Sequence, residues 1–155
     1  EKPEVEGWAS YWHMYAMEAD GSNLRRLTDG PFHDFDAVCL PDGGVAFHST
    51  RCKARFLCWR PQAYVLFRME ADGSDIRPLS FAEAPEWEPS VLDDGRIVYS
   101  RWDYTNRHSY HFQSLWVTRP DGTGTVNLYG NLTRNPCNSA EPRRLLPERY
   151  PPECR

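Results

Sequence analysis

Two short acidic clusters hold the residue types best suited to chemistry: His33, Asp34 and Asp36 in "FHDFDAV", and Glu86 and Glu88 in "APEWEPS". Asp34 and Asp36 stand fifty-two positions before Glu86 and Glu88, so whatever places one pair places the other. Carboxylates gathered in this way can hold a hard cation through oxygen ligands, or meet a cationic ligand. They can equally cap their own turns or pair with Arg51 and Arg101, the arginines that close the following strands. His108 and His111 are three apart in "DYTNRHSYHF", with no third ligand at a spacing that would complete a zinc site, and read as loop residues. Ser49, Ser74, Ser100 and Ser114 sit in no Gly-x-Ser-x-Gly context, and no glycine-rich phosphate loop occurs. No catalytic residue is therefore expected within this chain, and no cofactor.

The five cysteines need separate readings. Cys39 aligns with Val91 in an apolar run and reads as a small buried hydrophobe. Cys52 and Cys58 bracket "KARFL" in a connection between strands. An oxidising compartment would join them as a disulfide pinning that loop, and a reducing one would leave them as thiols. No second Cys or His pair lies at finger spacing, which argues against zinc. Cys137 and Cys154 fall in a proline-rich tail and have no assignable partner.

The elements that position these residues come from an internal repeat. "MEADGSNLRRLT" (17 to 28) returns as "MEADGSDIRPLS" (69 to 80), identical at eight of twelve positions, and "FDAVCLPDGGVAF" (35 to 47) lies over "WEPSVLDDGRIVY" (87 to 99) at the same offset of fifty-two. A weaker third copy is "RPDGTGTVNLY" (119 to 129). Each unit carries two Asp-Gly turns between short apolar or β-branched runs, the pattern of two hairpins. Four strands are expected at 36–40, 45–50, 63–69 and 76–80, and again at 88–92, 96–102, 114–119 and 125–129. Runs such as Val65-Leu66-Phe67 and Ile97-Val98-Tyr99 are apolar on successive positions, which a sheet covered on both faces requires. Four-stranded units of this length, each covered by its neighbours, are the blades of an all-β propeller. Repeat symmetry then sets His33, Asp34, Asp36, Glu86 and Glu88 near one mouth of a central channel.

The stretch "MEADGSNLRRLTDGPFHDFDAVCLPDGGVAFHSTR" (17 to 51) resembles the repeat of TolB-like and WD40-like propellers, with Asp-Gly, Leu-Thr and Pro-Asp-Gly in that order. "HDFD" (33 to 36), "FHSTRC" (47 to 52), "RMEADGSDIRPLS" (68 to 80), "EWEPSVLDDGRIVYSRW" (86 to 102) and "LWVTRPDG" (115 to 122) are similar to the propeller region of proteins related to the hydrazine synthase alpha subunit, over residues 14 to 131. The resemblance implies an extracytoplasmic protein, periplasmic or equivalent, and so supports the Cys52–Cys58 pairing. It implies a propeller scaffold or binding module that holds neighbouring domains or a protein partner. The alternative is the propeller portion of a c-type haem redox enzyme whose haems lie elsewhere. Haem in that family attaches through Cys-x-x-Cys-His, which this sequence lacks.

The repeats occupy residues 1–131, with a partial blade at 11–28, a full one at 36–80 and another at 88–129. About two and a half blades fall short of the four or so that close a ring, so a fragment is expected, its partners being the remaining blades and domains of the parent. Residues 132–155 are proline-rich, without alternation or Asp-Gly turns, and read as an irregular tail. A net charge of −4 with eighteen scattered Lys and Arg offers no basic stripe for nucleic acid. No apolar run is long enough for a membrane span.

Overall fold

The computed structural model describes residues 11–54, 62–103, 113–130, 139 and 142. Cys58, His108, His111, Cys137 and Cys154 lie outside them. The described residues form ten strands and no helix. β1 (Tyr15–Ala16) and β2 (Arg25–Arg26) make a two-stranded sheet. β3 (Asp34–Cys39), β4 (Val45–Ser49), β5 (Val65–Met69) and β6 (Arg77–Pro78) make a second, in that order. β7 (Glu86–Val91), β8 (Ile97–Trp102), β9 (Gln113–Thr118) and β10 (Val126–Tyr129) make a third of the same topology. Every pairing is antiparallel and joins consecutive strands. The architecture is all-β, with four-stranded antiparallel sheets arranged as propeller blades.

The Asp-Gly turns explain why the chain reverses where it does. Gly43, Gly73, Gly95 and Gly122 all have φ between 82° and 91°, a region closed to most side chains. The preceding Asp42, Asp72, Asp94 and Asp121 accept a bond from the backbone N–H two residues on, at 2.8 to 3.1 Å. Such a bond mimics a backbone turn. Hydrogen bonds from Ser74, Arg96 and Thr123 hold Asp72, Asp94 and Asp121 below the ordinary carboxylate value.

The middle blade is buried on both faces. One face (Phe47, Val65, Phe67, Met69) packs with Met14 and Leu27 of the first sheet. The other (Leu40, Ala46, Leu66, Leu79) packs with Val91, Ile97, Tyr99 and Trp116 of the third. All five residues of β5 are buried, which accounts for the successive apolar residues Val65, Leu66 and Phe67. Arg68 is tolerated there because its guanidinium reaches Asp42 at 2.7 Å and Glu70 at 3.3 Å.

The first strands start earlier than the sequence pattern indicated, at Asp34 and Glu86 instead of 36 and 88. The alternation breaks at a bulge and pairing continues beyond it. Asp34 and Phe35 face Ser49 and His48, and the register then jumps to Val38 opposite Ala46. Glu86 and Trp87 face Arg101 and Ser100 before the jump to Ser90 opposite Val98. Asp36 and Glu88 sit in the two bulges with φ of 60° and 55°, where an extra residue is accommodated by local twist.

Candidate functional site

The bulges bring most of the sequence-derived candidates to one end of the blades and give them different tasks. Asp34 is buried. Its carboxylate accepts bonds from Ser49 Oγ at 2.6 Å and from Arg51 Nε and Nη2 at 3.1 and 2.8 Å. Arg51 also donates to the Asp29 carbonyl at 2.8 Å and lies over the Phe32 ring at 4.8 Å. A two-point pairing of this kind fixes the arginine as well as neutralising the acid. The hydrogen bonds of the Asp34 carboxylate thus stay in its own blade, while His13 Nδ1, ahead of β1, lies 3.9 Å from Oδ2.

Glu86 is buried to the same degree but bonds across the blade boundary. It accepts the Leu66 N–H at 2.8 Å and the Ser80 hydroxyl at 2.7 Å. Burial pushes its carboxyl above the ordinary value, against the lowering effect of those two bonds. Arg101 does not hold it. That guanidinium lies over the Trp116 ring at 4.5 Å, with Asp103 3.8 Å from Nε. Arg51 and Arg101 are not repeat equivalents either, since Arg101 stands opposite Glu86 in the register place of Ser49.

The exposed Asp36 connects the two clusters. Its Oδ2 accepts the backbone N–H of Glu88, fifty-two residues on, at 2.7 Å, and lies 3.4 Å from Nδ1 of His48. A second link runs beside it along the backbone. The N–H of Asp34 donates to the Trp12 carbonyl at 2.9 Å, and that of Glu86 to the Tyr64 carbonyl at 3.0 Å. The N–H of Ser139 donates to the Gln113 carbonyl at 2.9 Å, while Ser100 Oγ donates to the Ser139 carbonyl at 2.9 Å. Ser139 of the proline-rich tail therefore repeats on the third blade the bond that Asp34 and Glu86 make on the two before it.

His33 lies against Tyr11 and Trp12, with ring centroids 5.2 and 5.6 Å away. Burial draws its pKa below the ordinary value, opposed by Asp34. Cys39 is half-buried, and Cys52 Sγ lies 3.6 Å from the Ala63 carbonyl. The partner expected for Cys52, Cys58, is outside the described residues. No group of three metal-ligating side chains occurs among the described residues.

Sequence reasoning missed His48 and the aromatic run around it. His48 is fully buried, yet aligns with Ser100 at the repeat offset, so the repeat gives it no signal. Trp12, Phe35, Tyr64 and Trp87 meet edge to face in succession at 5.7, 5.1 and 5.9 Å, and Trp87 continues to Trp102 at 6.5 Å. Trp87 Nε1 also donates to the Tyr64 hydroxyl. Burial raises the Tyr64 pKa, and nearby Asp36 adds to that rise. Aromatic residues at 12 and 64, and at 35 and 87, were the available signal, since each pair is separated by the repeat offset. These rings cross the blade boundaries beside Asp36 and Glu88, and carboxylates bordering aromatic rings are suited to a cationic group.

Comparison with family models and with curated proteins gives no match. Among solved structures, a chain of Kuenenia stuttgartiensis hydrazine synthase superposes with a TM-score of 0.67 at 16% identity, over 76% of this chain and 22% of that one. The likeness is one of fold. The chain spans about a fifth of the length of the protein it matches.

Proposed function

We propose that this chain is a non-catalytic scaffold or binding portion of a propeller in a hydrazine synthase alpha subunit-like, extracytoplasmic protein. The observation that carries this reading is the use made of the conspicuous acids. Asp34 is held by Arg51, Glu86 by Leu66 and Ser80, and Asp36 binds the Glu88 amide. Groups consumed in joining strands and blades are not poised for proton transfer or metal binding. The rings that line the blade boundaries beside Asp36 and Glu88 offer a surface suited to a cationic group on a partner.

A second reading, the propeller portion of a c-type haem redox enzyme, is favoured by the structural likeness to hydrazine synthase. The residues present do not fit covalent haem. No Cys-x-x-Cys-His occurs in the sequence, and Cys39 and Cys52 lie thirteen residues apart in different parts of one blade. Haem in this reading belongs to other parts of the parent. Expression of this chain beside a haem-attachment system tests the scaffold reading, which expects no covalent Soret band after denaturation and is overturned by one; Cys-x-x-Cys-His in the flanking sequence of the parent, with a covalent Soret band from the parent expressed in the same way, decides for the second reading.

A further inference from the structure

His48 on β4 stands between Phe35 of β3 and Leu66 of β5, which are its partners in the two registers. It is fully buried, and among the described residues neither ring nitrogen has a hydrogen-bond partner. Buried polar groups are ordinarily bonded, so an unbonded imidazole is costly to keep in such a place.

The charged and titratable groups around it come from both sides of the boundary between the second and third blades. From β3, Asp36 brings Oδ2 to 3.4 Å from Nδ1. From the segment before β5, the Tyr64 ring lies 6.5 Å away, centroid to centroid. From β7, Glu86 holds the N–H of Leu66, the residue paired with His48. Arg101 and Tyr99 of β8 interact with Glu86 in turn.

Asp36 and Glu86 carry bonds that cross this boundary in opposite directions. Asp36 of the middle blade accepts the Glu88 N–H of the next at 2.7 Å, while Glu86 of that next blade accepts the Leu66 N–H at 2.8 Å. His48 lies beside both acids, and all of these groups sit within a boundary that the chain itself supplies on both sides.

We infer that His48 is a proton-operated tie between the second and third blades, and that its protonation tightens the bonds from Glu88 N–H to Asp36 and from Leu66 N–H to Glu86. When protonated, Nδ1 carries hydrogen and faces the Asp36 carboxylate as a charge-assisted donor, which fixes that carboxylate where it receives the Glu88 amide. The same positive charge favours ionised Glu86, against the burial that raises its carboxyl. An ionised carboxylate accepts an N–H roughly twice as strongly as a neutral group does. Loss of the proton leaves both acids to hold their amides without a cation between them, so the blades are coupled more loosely at this end. Histidine is the side chain suited to such a switch.

Nuclear magnetic resonance of the isotope-labelled chain across pH tests it. The His48 ring resonances give its own titration, and the amide proton shifts of Leu66 and Glu88 report the two bonds. Both amides are expected to move downfield on acidification with the midpoint of the His48 ring. Asp36→Asn removes the response at Glu88 and leaves that at Leu66, Glu86→Gln does the reverse, and His48→Gln abolishes both. Where His48→Gln fails to fold, the two acid variants keep the test decisive, since each leaves His48 in place. A His48 ring that holds one protonation state wherever the chain is folded overturns the tie, as do amides that titrate with a different midpoint. A Leu66 response kept in His48→Gln but lost in Glu86→Gln overturns it too, because Glu86 then titrates unaided.

Discussion

Asp34 and Glu86 occupy the same place in successive blades and solve the problem of a buried acid in opposite ways. Asp34 is short, turns back into its own blade and is neutralised by Arg51. The Met14 N–H it leaves behind is taken by Thr28 Oγ1 at 3.0 Å. Glu86 is one methylene longer and reaches the preceding blade, where it takes the Leu66 N–H itself while Ser80 turns to donate to it. Met14 and Leu66, and Thr28 and Ser80, are each fifty-two apart, so the same backbone donor is satisfied by a hydroxyl in one case and a carboxyl in the other. A repeat conserves the need for a bond more strictly than the group that makes it, because an unmet buried donor costs more than an exchanged acceptor gains.

The sharpest break in this comparison is Arg51→Ala. It leaves the buried Asp34 carboxyl without its arginine, with only Ser49 donating to it and His13 3.9 Å away, and is expected to cost about 3 kcal/mol in chemical denaturation. Adding Asp34→Asn to it should recover part of that loss, and an unimproved double variant would show that the ion pair is not the source. Glu86→Ala comes next, at about 2 to 3 kcal/mol, since it strands the Leu66 N–H. Glu86→Gln keeps an acceptor in place and should lose less than about 1 kcal/mol. Equal losses from the two substitutions would mean that charge at Glu86 matters after all.

The smallest effect is one of pH. The carboxyl of folded Glu86 is raised above its ordinary 4.5 by burial, so its contribution is complete below that value and is lost as pH rises through the folded pKa. Wild type should therefore lose stability relative to Glu86→Gln as pH rises above 4.5. Asp42 has the opposite dependence. Burial works to raise its pKa, but bonds from Arg68 and the Gly44 N–H outweigh it. Its contribution is lost on acidification in both proteins and cancels in the difference. A flat difference across the range would place Glu86 among ordinary carboxylates.

The fold was legible because its signals are local. Asp-Gly at 72–73, 94–95 and 121–122 sets the reversals through turn chemistry, and the successive apolar residues Val65, Leu66 and Phe67 of β5 already state that both faces are covered. The acids were found by type but not by task. Nothing near Asp34 in sequence shows that its carboxylate turns toward Arg51, since that depends on a bulge two residues later. Glu86 meets Leu66 and Ser80 only after two blades have packed. His48 gave no signal because the repeat pairs it with a serine. The Ser139 bond to Gln113 falls in a stretch whose prolines hide its relation to Asp34 and Glu86.

The bond from the Glu88 amide to the Asp36 carboxylate has a consequence for how freely this end of the molecule can vary. The donating group is main chain, present with any residue at 88 but proline, although the positive φ there disfavours β-branched side chains. Coupling between neighbouring blades is thereby separated from the identity of the residue coupled. This attachment therefore depends on the acid at 36 and on the backbone at 88, not on the carboxylate that Glu88 carries.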